Sequence, residues 1–280
     1  MPIHDQGYRR YAGTKAEVGR AWQVIARSGI RSVVIKRTFI GLLLFAWVPF
    51  IVRAVLIYAA SNFAQASFLQ PKAETFREFL DQQQPFVFFV TIYIGAGLIA
   101  NDRRANALQV YLSKPLTRAE YVAGKLAILF AFLTAVTWAP AIALLLVQIM
   151  FAGNFAFVRD NLFLLPAITL FSLLQVLLAA TTILALSSMS KSSRFVGIMY
   201  AGLMFFTAAV FNALRGITGK ATFAWLSPSA SLEQLGDAIF RLTPRYQGFS
   251  SLVALLVVVG LITVSGFIPQ RRVRGIEVVN

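Results

Sequence analysis

Six long stretches almost free of charge divide the chain: residues 38–60, 85–100, 126–152, 162–187, 195–214 and 250–268. A hydrocarbon core about 30 Å thick takes about 20 apolar helical residues to cross. Within it, a backbone satisfies its own polar groups only as a helix or a closed barrel. The six stretches therefore predict an all-α, polytopic integral membrane protein with six transmembrane helices. The second stretch is short for a crossing, so its helix is expected to run on into the polar residues that follow. The third carries Pro140 near its middle, which removes a backbone donor and predicts a kink or tilt. Some 37 mostly polar residues precede the first stretch without the short apolar core of a cleaved signal, so that stretch is expected to stay in the membrane.

Composition narrows the chemistry. Only 13% of residues are charged and 58% are hydrophobic, whereas soluble proteins carry about 25% charged residues. With no cysteine and a single histidine, His4, the chain offers no thiol nucleophile, no disulfide and no plausible histidine-built metal site. No phosphate-binding loop is present: Gly124-Lys125 runs on to Leu126 and Gly219-Lys220 to Ala221, and neither has the upstream glycine that such a loop needs. The chain is expected not to be an enzyme and to bind no cofactor or metal itself.

The formal charge of +15 has a topological cause. Arg9, Arg10, Lys15, Arg20, Arg27, Arg31, Lys36 and Arg37 precede the first span. Arg103, Arg104, Lys114, Arg118 and Lys125 follow the second, Lys191 and Arg194 the fourth, and Arg271, Arg272 and Arg274 the sixth. The alternate segments hold fewer: Lys72, Arg77, Arg159, Arg215, Lys220, Arg241 and Arg245. By the positive-inside rule both termini face the cytoplasm, in a cytoplasmic (inner) membrane. No nucleic-acid motif accompanies the basic residues, so no nucleic acid is expected as a partner. Arg53, the one charge inside a stretch, lies near the outer headgroups, either snorkelling or making a polar contact in a transport path or interface. Uncharged polar residues such as Thr91, Gln148, Gln175 and Thr181 are scattered through the spans, where interhelical hydrogen bonding explains most of them, and no substrate site stands out.

The segment from Asn101 to Leu126 reads as helix, turn, helix. Asn101 to Leu112 has no breaker and stacks Leu108 and Leu112 on one face with Tyr111 beside them. Pro115 turns the chain, and Thr117 with Glu120 forms a capping box that opens a helix into a third span of about 121–152. The order Asp102, Leu108, Leu112, Pro115-Leu116-Thr117-Arg118 and Gly124-Lys125 resembles the membrane-spanning permeases of the type 2 ATP-binding-cassette (ABC) exporters, in which the acidic position is more often glutamate. The close match covers about 25 residues, and the six-span layout extends it loosely over the chain.

The resemblance implies a cytoplasmic coupling hairpin, comprising Asp102, Arg103, Arg104, Leu108, Tyr111, Leu112, Lys114, Pro115, Leu116 and Arg118, that contacts an ABC nucleotide-binding ATPase subunit. ATP and magnesium would be bound in that partner, and a second permease, identical or not, would complete the pathway. Apolar anchors inside a basic rim suit a groove on a partner. A tight turn with leucines touching lipid is the competing reading.

Two further elements are expected. In the basic arm, residues 1–37, Val18, Trp22, Ile25 and Gly29 share one side of a helix and Arg20, Arg27 and Arg31 the other, which predicts an amphipathic helix on membrane lipid. It resembles the connecting helix of these permeases and equally a generic anchor. Between spans five and six, Ser231 and Gln234 are positioned to cap a short helix whose Leu232, Leu235, Ile239 and Phe240 form an apolar stripe, either an outer gate or a passive cover. The transmembrane domain covers residues 38–268, with spans near 38–60, 85–100, 121–152, 162–187, 195–214 and 250–268, and residues 269–280 form a basic tail. The leading expectation is an ABC exporter permease. A channel or secondary carrier independent of ATP, or a non-transporting scaffold of the same fold, is the alternative.

Overall fold

The computed structural model describes residues 21–63, 65, 70–107, 116–152, 157, 159 and 161–272. Among these the regular elements are all helical. A helix α1 (Ala21–Val34) leads into the first span, which is broken into α2 (Arg37–Ala46) and α3 (Val48–Asn62) at Trp47, two residues before Pro49. The second span is α4 (Ala73–Gln82), α5 (Gln84–Val90), a π-turn at Thr91–Gly95, α6 (Ala96–Leu98) and α7 (Ala100–Arg104). The third is α8 (Arg118–Val136) and α9 (Trp138–Ala152). Then follow α10 (Leu164–Met189), α11 (Ser193–Thr218), a short cap helix α12 (Pro228–Ile239) and α13 (Ser251–Arg272).

Six of these helical runs are long and apolar enough to cross a bilayer. The apolar stretch at 85–100 lies inside a run of 32 residues, Ala73–Arg104. The helix continues into the following polar residues as expected. It also starts earlier than hydropathy alone indicates, because α4 is amphipathic and buries Phe76, Phe79 and Leu80 despite its charges. Pro140 has the anticipated effect: it lacks the N–H that would reach Val136, and the third span breaks at Thr137. The Trp47 indole, at the break in the first span, donates to the Ala135 carbonyl at 3.1 Å and so ties the two irregular regions together.

The fourth span is the hub, packed against the third, fifth and sixth. Its most apolar window is 72% buried, against 11% for the first span and 17% for the fifth and sixth. Leu44, Phe45 and Ile51 on the first span, and Ile198, Phe205 and Phe206 on the fifth, stand exposed. Apolar surface of that extent is tolerated in hydrocarbon and not in water. The buried core divides by height: one cluster around Phe39, Tyr121, Ile128, Leu129 and Ile183 lies toward α1, and two others around Phe76, Phe171, Leu232 and Tyr246 lie toward α12. The two ends are called here the hairpin end and the cap end.

Candidate functional sites at the two ends of the bundle

At the hairpin end, Thr117 opens α8 with the anticipated capping box. Its Oγ1 accepts from the Glu120 amide at 3.2 Å, and Glu120 Oε2 accepts from the Thr117 amide at 2.9 Å. The helix so started brings Lys125 beside Asp102, with Nζ 2.7 Å from Oδ2, and the Tyr121 hydroxyl donates to the same carboxylate at 2.7 Å. Asp102 is thus held across the two spans rather than spent on its sequence neighbours Arg103 and Arg104. The Arg103 guanidinium donates instead to the Ser188 carbonyl at the end of the fourth span, while Arg104 and Arg118 are exposed.

Next to this pair, the second span changes its winding at Ile99. The Ser187 hydroxyl accepts from the Ile99 and Ala100 amides at 3.1 and 3.0 Å and donates to the Ala96 carbonyl at 3.0 Å, filling bonds that the break would leave open. The ends of spans two, three and four are therefore one polar knot. Lys125 and Ser187 belong to it although neither stood among the expected site residues. The Gly-Lys spacing pointed to Lys125, whereas nothing local distinguishes Ser187.

One expectation about the hairpin is corrected. Asn101 to Leu112 contains no breaker by residue type, yet α7 ends at Arg104 and Asn106 takes a left-handed φ of 52°. Asparagine adopts that region more readily than other residues with a Cβ. Leu116 is half-buried against the core beside α8. Leu108, Tyr111, Leu112, Lys114 and Pro115 lie outside the described residues, as does Val18.

Helix α1 lies along α8. A Cβ on Gly124 would sit 2.8 Å from Ile25 Cβ and 3.0 Å from the Trp22 carbonyl, and one on Gly29 would sit 2.1 Å from Ile128 Cδ1. The Gly124-Lys125 pair thus has a physical division of labour: the glycine admits α1, and the lysine faces Asp102. Trp22 is on the exposed rim of this helix and Ile25 is half-buried against α8.

At the cap end, the N-cap of α12 stands four residues before the expected one, Ser231. Ser227 is the N-cap, accepting from the Ala230 amide at 3.3 Å, with Pro228 in the first turn where its missing N–H costs nothing. Ser231 and Gln234 are buried inside the helix, so their anticipated capping role is corrected. Gln234 instead accepts from the Tyr246 amide at 3.1 Å and donates to the Phe249 carbonyl at 2.7 Å, stapling the following loop to the helix. The stripe of Leu232, Leu235 and Phe240 is buried and Ile239 half-buried, all packed onto the bundle.

Beneath α12 lies a charge network not anticipated from the sequence. Arg77 is 1% exposed. Its guanidinium lies 4.5 Å from the Phe171 ring centroid, donates to Asp81 and to the Glu233 carbonyl, and has Nε 3.4 Å from Asp237 Oδ1, an ion pair without hydrogen-bond geometry. A Cβ at Gly236 would lie 2.4 Å from that Nε, so only glycine leaves the guanidinium its place. Arg245 reaches Asp81 at 2.8 Å and Asp237 at 3.5 Å, its amide donates to Asp237, and the Tyr246 hydroxyl donates to Glu233 at 2.6 Å. Burial pushes the Asp237 carboxyl above its ordinary range despite the pull of Arg245 and Arg77. The network ties the second span, the cap helix and the loop into the sixth span together. Arg77 stands four residues before Asp81 and Glu233 four before Asp237, but nothing local in the sequence shows that the two pairs meet. Arg53, by comparison, pairs with the exposed Glu78 at 3.1 Å and with Gln82.

A family model described as "ABC-2 family transporter protein" matches residues 23–268. No curated protein matches the chain.

Proposed function

This chain belongs to the ABC-2 transporter family, and from that premise we propose that it is the permease subunit of an ABC exporter, driven by ATP hydrolysed in a separate nucleotide-binding subunit. In this reading the hairpin end faces the cytoplasm, in agreement with the Lys and Arg bias, and two permeases, each with an ATPase subunit beneath it, enclose the pathway. The observation that carries the reading is the knot of Asp102, Lys125, Arg103 and Ser188. Both ends of the segment between Asp102 and Lys125 are fixed to spans two, three and four, so a displacement applied to it moves three spans together. The residues that would receive the push are Leu108, Tyr111, Leu112, Lys114, Pro115 and Leu116, with Arg103, Arg104 and Arg118 as the basic rim. The cap helix, with Leu232, Leu235, Ile239 and Phe240 on its inner face, would open or close the far mouth.

Substitutions at the hairpin test this. Leu112→Asp and Pro115→Gly are expected to leave membrane insertion unchanged and to weaken association with the ATPase or uncouple its hydrolysis from transport, measured by copurification and by vesicle uptake. Normal coupled transport by both variants would remove the hairpin from the mechanism.

A further inference from the structure

A cavity of about 480 Å³ lies between α5, α10, α11 and α12 in the cap half of the bundle. Its walls are mostly apolar, with Val87, Phe88, Leu178, Met204 and Leu232 among them, and no acidic or basic side chain lines it among the described residues. Gln175 reaches it from the middle of the fourth span. This side chain is 2% exposed, and neither its amide oxygen nor its amide nitrogen has a partner among the described residues. Ser172, one turn away on α10, is 1% exposed with its hydroxyl likewise unpartnered.

Glutamine inside a membrane helix ordinarily bonds a neighbouring helix, and an unpaired amide away from water is costly enough to call for an explanation. Here the residue that carries the amide lines a cavity within the size range of small-molecule sites. Phe89 and Phe205 also line the cavity and are exposed on the surface of this chain, so the cavity opens sideways, between the second and fifth spans. A primary amide both donates and accepts hydrogen bonds. With no counter-charge in the lining, an ionised group would be desolvated without compensation.

We propose that this cavity binds an uncharged amphiphile drawn from the bilayer, its hydroxyl or amide bonded to the Gln175 side chain and its hydrocarbon chain lying among Phe88, Leu178 and Met204. Binding requires neither a partner nor ATP, so the inference stands apart from the transport reading.

The test uses the full chain in liposomes and monooleoylglycerol carrying a photoreactive diazirine on its acyl chain. Crosslinks are expected within residues 84–89 and 200–208, suppressed by excess unlabelled monooleoylglycerol. Gln175→Leu removes an unpaired amide and keeps the wall apolar, so it is expected to fold at least as well, while labelling falls about tenfold. Ala208→Phe fills the cavity from the fifth span with Gln175 intact and is expected to block labelling too, so it decides the question if the first variant misfolds. Ionised oleic acid bearing the same diazirine is expected to label the wild type no better than monooleoylglycerol labels Gln175→Leu. Labelling that does not saturate, that survives in both folded variants, or that is equal for the ionised probe would overturn the proposal.

Discussion

At the scale of single residues, the side chains that organise this molecule are the few charges it buries. Lys125 and Asp102 are mostly buried, with side chains 11% and 19% exposed, and removing either leaves the other desolvated and short of a partner. Lys125→Met is therefore expected to cost about 3 kcal/mol in thermal unfolding of the detergent-solubilised chain. The swapped pair Asp102→Lys with Lys125→Asp should recover part of that loss. Tyr246 provides a titration. Burial first, and then its bond to Glu233, raise the phenol above its ordinary value of 10.0. For an acid whose folded value is raised, the stabilising contribution is fully present below the unfolded value and is lost as pH rises through the folded one. The contact with Glu233 should therefore persist through neutral pH and weaken only in the strongly alkaline range. The difference in phenolate absorbance between wild type and Tyr246→Phe should consequently rise at higher pH than that of free tyrosine.

At the scale of elements, two contacts set how the short helices sit on the spans. Gly124→Ala puts a methyl group against Ile25 and Trp22, and overpacking of this kind costs about 1–3 kcal/mol. Helix α1 should loosen from α8 and become cleavable by trypsin at Arg27 and Arg31, whereas Gly202→Ala, with nothing within 4 Å of its Cβ, should leave cleavage unchanged. At the other end, Arg77→Met leaves Asp81 and Asp237 to Arg245 alone. The expected result is a loss of about 3 kcal/mol and faster proteolysis at Arg241 and Arg245, because the loop after α12 is held by the same carboxylates. The α1 helix, the capping box at Thr117 and the break near Pro140 were legible in sequence because each rests on neighbours within one or two turns. The early start of α4 was not, since its amphipathic face overrides a hydropathy minimum. The cap at Ser227 was not legible, because Ala230 stands where a capping box has Glu or Gln, whereas Ser231 and Gln234 match that pattern. Arg77 looked like a loop charge, and only the meeting of α4, α10 and α12 makes it a buried tie.

At the scale of the whole molecule, six apolar runs and one hairpin pattern were enough to point to the family, because a bilayer admits few architectures and the hairpin motif is local. The fourth span's central position and the unpartnered amide of Gln175 depend on which helices neighbour one another, which hydropathy does not encode. The exposed apolar faces of the first, fifth and sixth spans follow from the same arrangement, and a membrane rather than water is what makes them stable. Orientation has a direct check in this cysteine-free chain: a cysteine replacing Lys114 should react only from the cytoplasmic side, and one replacing the exposed Lys220 only from the opposite side. Gln83 is fully buried and would be a poor reporter despite its place near the cap end.

A permease powered by a separate ATPase held at its hairpin should keep that subunit when the chain is purified from its native membranes without crosslinking and should need it for ATP-dependent uptake after reconstitution. An ATPase subunit is expected to copurify with the wild type, to be lost from Leu112→Asp, and to be required for uptake. Full transport by the lone polypeptide in liposomes, with no ATPase retained, would contradict that dependence.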